Sequence, residues 1–335
     1  MSADASFKYV IGVDLGGTNV RAAVIDADEK IIAQVHHPSY AKQGAERVIA
    51  ASVGVINEAI QSAGLSKNDI GAVGMAVPGH IDTSKGIIRW SPNFGETIDG
   101  AFNVFLNVEF TPLISDQLGL PVTMGNDANV AALGEFRYGA GRTVQHMVMF
   151  TLGTGIGSGV IVNGEVLIGS TGGAVELGHH VIVAGGARCG CSTFGCIEAY
   201  CGQHAIVERA LRAMENGSPT LLSAKVGSDK GTLTPEQIDE AARSGDAAAI
   251  GVFEETGYYL GIGMANAVHI FNPEMIVIGG GVRRATGLIE SAKRSMYRHT
   301  IASLVSNVVV AEAGLGGDAG VMGAAELAWR LAKSN

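Results

Sequence analysis

No apolar run in this sequence is long enough to span a bilayer, and its opening residues, MSADASFKYV, lack the basic stretch followed by an apolar one that marks a secretory signal. Cations are also in short supply. Lys and Arg number 23 against 32 Asp and Glu, giving a net charge of −9. That balance argues against a general nucleic-acid surface, which rests on clustered Lys and Arg. Small anionic ligands stay open, because they need only local amides and dipoles. Cysteine is scarce, with four residues in 335. Free thiols together with the missing export signal lead to the expectation of a cytoplasmic protein. No GxxxxGK[ST] run occurs, which excludes a P-loop. The glycines at 153–159 alternate instead of taking the dinucleotide spacing, and no strand–turn–helix unit follows them.

What is present points to a folded, soluble protein. A hydrophobic content of 47% with 16% charged residues is the opposite of a disordered composition. The length of 335 residues suggests roughly two domains. Glycine is abundant: 48 residues, roughly twice the usual share of about 7%. Many follow apolar runs, where glycine lets backbone approach something closely.

Residues 8–38 read as three short strands: YVIGVDL, VRAAVID and IIAQVHH. Val48, Ser52, Val55, Ala59 and Ile60 then recur at helical spacing up to Gly64, and IGAVGMAVPG reads as a buried strand leading into a loop. Three strands, a helix and a strand open a ribonuclease-H-like unit. The theme returns in HMVMFTLGTGIGSGVIVNGEVLIG and in EMIVIGGGV. Thr234 and Gln237 form a capping box with Pro235 at the first helical position, and a long helix from Asp246 stops before Asn272-Pro273. The doubled pattern predicts two related α/β domains facing each other across a cleft. The expected division is residues 1–124 with 318–335 as the smaller domain and 125–317 as the larger.

DLGGTNVR, residues 14–21, sets an acid, two glycines and a threonine between two strands. Such a turn exposes backbone N–H groups to phosphate oxygens, while Asp14 can hold magnesium through water. TLGTGIGSG, residues 151–159, offers the same features without the acid. Either turn alone is as easily a plain hairpin; two of them between apolar strands favour phosphate. GNDANVAA follows the strand LPVTM and opens a helix, where Asn126 or Asp127 serves as the cap.

DLGGTNVR, GNDANVAALGE, TLGTGIGSG, ELGHH, CGCSTFGCIEAY and IVIGGGV occur in an order and spacing that resembles the ROK family (repressors, unclassified reading frames and sugar kinases). The resemblance runs from about residue 8 to the end, and within the family the chain looks most like its bacterial glucokinases. It implies the actin-like, two-domain sugar-kinase fold and phosphorylation of a hexose, foremost D-glucose, by ATP with magnesium. Asp127 maps onto the catalytic base, a role that can coexist with capping. Gly79, Asn93, Asn126, Glu176, His179 and Glu198 map onto sugar-binding positions. Asp14, Gly16, Gly17, Thr18, Asn19, Gly153, Thr154, Gly155 and Gly157 map onto the phosphate side, and Gly280 and Gly281 onto the adenosine side. His80 and the loop segment SPNFGET depart from the glucokinase pattern beside the sugar, so fructose, mannose or an N-acetylhexosamine stays open as acceptor, and polyphosphate as donor. The family also implies a homodimer or homotetramer.

His179, Cys189, Cys191 and Cys196 follow the spacing H-x9-C-x-C-x4-C. Imidazole and thiolates suit zinc, and four protein ligands mark a structural site, one ion per chain. Cys201 reads as a buried small apolar residue. A sugar-responsive repressor of the same family needs a DNA-binding segment ahead of DLGGT, which begins at residue 14 and leaves it no room. An actin-like ATPase leaves Glu176, His179 and Glu198 without a purpose.

Overall fold

The computed structural model describes residues 7–223 and 233–334. The chain packs as two units. One comprises the chain up to Arg142, Val166–Val175 and the chain from Gly314 onward; the other comprises Thr143–Glu165 and Glu176–Ala313.

The first unit opens with β1 (Tyr9–Leu15), β2 (Asn19–Asp26) and β3 (Ile31–Pro38), followed by α1 (Ala45–Ser62) and β4 (Ile70–Val77). Every residue of β4 is buried, which explains its unbroken apolar run. Val48, Ser52, Val55, Ala59 and Ile60 form the buried face of α1, as their spacing predicts. A fully buried Val or Ile here contributes roughly 1.5–3 kcal/mol relative to exposure. Next come β5 (His80–Asp82), β6 (Ile87–Ile98), β7 (Ala101–Glu109), α2 (Thr111–Leu118), β8 (Val122–Asn126) and α3 (Asp127–Tyr138).

The second unit holds β9 (Met147–Leu152), β10 (Ile156–Val162), the short β11 (Glu165–Val166), α4 (Glu198–Cys201), α5 (Gln203–Glu215), α6 (Pro235–Arg243) and α7 (Ala247–Phe271). It ends with β12 (Met275–Gly279), α8 (Leu288–His299), α9 (Ala302–Val305) and β13 (Val309–Glu312), and α10 (Ala319–Ser334) closes the chain in the first unit. Thr234 and Gln237 form the expected capping box, and α7 runs from its Asp246 cap to Asn272.

The two main sheets share one topology. Their orders are β3-β2-β1-β4-β8 and β11-β10-β9-β12-β13. In the first, β1 is antiparallel to β2 and parallel to β4, which is parallel to β8. In the second, β9 relates in the same way to β10 and β12, with β13 parallel beyond. The ribonuclease-H-like pattern read from the sequence is therefore present twice. Gly12 and Gly74 are register partners on β1 and β4. A Cβ on Gly12 would lie 2.0 Å from the Val321 carbonyl, and one on Gly74 1.9 Å from that of Ala324. These two glycines let the backbone of α10 rest directly on the sheet.

Two points differ from the sequence reading. Segments 125–142, 166–175 and 314–317, expected in the larger domain, pack in the first unit, where β8 pairs with β4 and α3 lies against α10. SPNFGET, expected as a loop, lies within β6 of a separate sheet, β5-β6-β7, at a register shift between Ser91 and Gly95. Among the described residues, no helix is long and apolar enough to cross a membrane.

Candidate active site

In the first unit the turn after β1 is closed by Gly16 N–H donating to the Asn19 carbonyl at 2.8 Å. Asp14, Gly16, Gly17, Thr18 and Asn19 line a cavity of about 440 Å³ together with Arg21 and His36. Burial pushes the Asp14 carboxyl above the usual carboxylate range, and the nearby Arg21 charge offsets part of that rise. Arg21 reaches Asp14 at 3.4 Å and Asp318 at 2.9 Å, and also donates to the Gly317 carbonyl. It thereby ties the turn to the segment that starts α10.

At the β8–α3 junction both predicted residues meet the first free N–H of the helix. Asn126 is the cap: its Oδ1 accepts from the N–H groups of Ala128 and Asn129 at 3.0 and 3.1 Å. Its amide donates to the Gly79 carbonyl at 3.1 Å, so these two predicted residues meet. Gly79 takes φ 117°, and a Cβ there would lie 2.4 Å from the Trp90 carbonyl. Asp127 is the first helical residue and shares the Ala128 N–H at 2.9 Å. A carboxylate at this position is favoured by the helix dipole. Asn93 is exposed on the irregular part of β6.

In the second unit, Gly153 N–H donates to the Gly155 carbonyl at 3.0 Å, closing the turn around Thr154. Gly157 lies past that turn, on β10 opposite Thr151. Gly280 takes φ 84°, and its Cβ would lie 2.0 Å from the Leu152 carbonyl. The Gly280–Gly281 turn and the turn at 153–155 are therefore neighbours. Glu198 Oε2 accepts from Ile156 N–H at 3.0 Å, just beyond the same turn. The exposed Glu176 precedes a 3₁₀ turn, Leu177–His179, and its carbonyl accepts from His179 N–H at 2.9 Å. Val175, directly before it, takes φ 70°, a strained value for a β-branched residue.

The predicted metal ligands come together. Ligand atoms of His179, Cys189, Cys191 and Cys196 all lie within 4.8 Å of one another. A tetrahedral zinc, with bonds of about 2.3 Å to sulfur and 2.0–2.1 Å to nitrogen, requires ligand–ligand edges of about 3.5–3.8 Å. His179 Nδ1 is 3.6 Å from Cys189 Sγ, and the Sγ atoms of Cys191 and Cys196 are 3.7 Å apart. The donor set and its spacing fit a metal ion. Hydrogen bonding from Thr193 draws the Cys191 thiol down to about 6, while burial pushes that of Cys189 up to about 12. A dication favours the thiolate form of both. The loop itself is fixed by paired backbone, with Val181 bridged to Cys196 and Arg188 to Phe194. Cys201 is buried, and its burial raises the thiol to about 12.

Three residues escaped the sequence reading. Thr193 Oγ1 lies 3.1 and 3.0 Å from the sulfurs of Cys191 and Cys196. Tyr200 Oη accepts from Ala187 N–H at 2.8 Å and so holds the cysteine loop against α4. Arg21 completes the group. Tyr200 and Thr193 stand inside the quoted motif, but their partners are backbone and sulfur atoms that no periodicity reveals.

The ROK family model matches residues 10–330. The chain is 35% identical to a glucokinase of Thermotoga maritima over 95% of this chain and 96% of that protein. Among solved structures, a ROK glucokinase of Streptomyces griseus in complex with glucose and AMPPNP is similar, at 32% identity and TM-score 0.79 over 96% of this chain and 99% of that one. A ROK hexokinase of Thermus thermophilus is 30% identical, with TM-score 0.80 over 97% and 99% of the two chains.

Proposed function

The chain belongs to the ROK family; on that premise we propose that it is an ATP-dependent hexokinase with D-glucose as acceptor and glucose 6-phosphate as product. The observation that carries the reading is the Asn126–Asp127 junction. Asn126 caps the helix and anchors on Gly79, and the adjoining Asp127 carboxylate stands at the first helical position beside the Ala128 N–H. Asp127 aligns the sugar 6-hydroxyl and accepts its proton as the oxygen attacks the γ-phosphorus and the bond to the β,γ-bridging oxygen breaks, releasing ADP.

Asn93, Asn126, Glu176, His179 and Glu198 supply the donors and acceptors that a hexose needs once its hydroxyls lose water. His179 faces Cys189 through Nδ1, and in this reading its Nε2 meets the sugar. The turns at 14–19 and 153–155 hold phosphates through backbone N–H groups, and Gly280–Gly281 serves the adenosine side. Magnesium carried with ATP, held through water by Asp14, supplies charge neutralisation at the transferring group. Zinc bound by His179, Cys189, Cys191 and Cys196 supplies rigidity to the segment bearing His179 and Glu198. The enzyme is assigned to the cytoplasm, where thiols remain reduced, and to a homodimer or homotetramer. A coupled ADP-release assay across glucose, mannose, fructose and N-acetylglucosamine tests the reading. Glucose should give the highest kcat/KM; a protein whose ATP turnover no hexose accelerates would refute it.

A further inference from the structure

Helix α4 carries Glu198 at its first position and is fastened at both ends to the glycine turn between β9 and β10. At one end, Glu198 Oε2 accepts from Ile156 N–H at 3.0 Å. At the other, the N–H of Gln203, which opens α5, donates to the Gly153 carbonyl at 3.1 Å. The space between is full. A Cβ on Gly155 would lie 2.3 Å from Glu198 Oε2, and one on Gly202 would lie 3.2 Å from the Thr154 carbonyl. A third contact holds the turn from the side of Glu176 and His179. Leu177 N–H donates to Ser158 Oγ at 3.0 Å, and a Cβ on Gly178 would lie 2.0 Å from the Ile156 carbonyl. Ile156 is therefore held at its N–H by Glu198 and pressed at its carbonyl by Gly178.

We infer that Glu198 and α4 relay occupancy of the hexose site to the turn that takes the ATP phosphates. The inference rests on the kinase reading, with Glu198 as a sugar ligand and 153–155 as a phosphate turn. An ionised carboxylate has about four acceptor positions, enough to keep the Ile156 N–H while taking a sugar hydroxyl. The Glu198 side chain is 23% exposed; Oε2 holds the Ile156 N–H, while Oε1 accepts from Cys189 Sγ at 3.5 Å and lies 3.9 Å from His179 Nδ1. A sugar hydroxyl donated to Oε1, which has acceptor capacity beyond Cys189, fixes the carboxylate that in turn fixes Ile156. The turn then presents its N–H groups to phosphate without first having to be ordered. Such coupling is reciprocal: the hexose tightens ATP by the factor by which ATP tightens the hexose.

Titration of glucose into the full-length protein, with and without a saturating non-hydrolysable ATP analogue, measures that factor. Gly155→Ala displaces the Glu198 carboxylate from Ile156. Gln203→Pro removes the N–H that reaches Gly153; proline is accepted at a first helical position, and Gly202, at φ −69° and ψ 161°, already has the extended backbone a residue before proline requires. The wild type should show a coupling of about fivefold or more, and both variants should bring it towards one, with Gln203→Pro keeping its nucleotide-free glucose affinity within about twofold. Independent binding of the two ligands to the wild type, or variants that keep the wild-type factor, would overturn the relay and leave the kinase reading standing. A wild-type protein that binds no glucose would overturn the kinase reading and the relay with it.

Discussion

The buried carboxylate of Glu135 accepts the backbone N–H of Gly314, 179 positions away in the chain, at 2.8 Å. The same side chain accepts from Leu315 N–H at 2.8 Å and from Ala140 N–H at 3.0 Å. It is fully enclosed within the first unit, where an unpaired charge would be strongly unfavourable; three N–H donors offset that cost. One side chain of α3 thus fixes the loop after its own helix and the loop leading to α10.

Glu135→Ala leaves those three partly buried donors without their acceptor. Hydrogen bonds to a charged group contribute about 1.5–3 kcal/mol each and do not add fully, so a loss on the order of 3–5 kcal/mol is expected. Urea denaturation should show a lower midpoint at an unchanged slope. A loss below about 1 kcal/mol would show that the carboxylate does not organise these loops.

Asp14 ties stability to pH. Its carboxyl lies above the ordinary carboxylate value of 3.8 because burial outweighs the Arg21 charge. A raised folded-state value means that the folded protein holds the proton more tightly than the unfolded chain does. Stability from this group is therefore complete below the unfolded value and is lost as pH rises through the folded one. Asp14→Asn should raise the melting temperature of the ligand-free protein at neutral pH and remove most phosphoryl transfer. The thermal gain should shrink as pH falls towards 3.8. Melting curves of both proteins across this range decide it, and a gain independent of pH would contradict it.

Elemental analysis of purified protein should find one zinc per chain. Cys191→Ser and Cys196→Ser should lower that content and weaken glucose binding, because His179 stands in both sets. Cys201→Ala should keep the metal, since that sulfur is buried against the Thr256 carbonyl at 3.4 Å. Full glucose affinity in metal-free protein would contradict the link between metal and sugar.

Much of this fold was legible because its strands and helices carry their own signals. The apolar run of β4, the spacing of Val48 to Ile60 and the Thr234–Gln237 box each name an element locally. The β5-β6-β7 sheet was missed because Pro92 and Gly95 break the alternation of β6. One signal there was available: Asp99 and Gly100, at φ 51° and 80° between the paired residues Ile98 and Ala101, form the two-residue turn that Asp-Gly favours. Within the site, the glycine turns and the cysteine spacing were readable because each is compact in sequence. The contact of Glu198 with Ile156 was not, since it joins residues 42 positions apart and depends on Gly155 having no side chain. The hub at Arg21 joins β2 to residue 318, a pairing that only the return of α10 creates.

The role of Asp127 as the base of sugar phosphorylation is tested most directly by Asp127→Asn, with glucose affinity and turnover measured on the same preparation. The amide keeps the shape of the side chain and removes its ability to accept the proton. Turnover with glucose and ATP should fall by about 10²–10⁴-fold, while the glucose Kd changes by less than about threefold. Near-normal kcat in that variant would contradict the assignment.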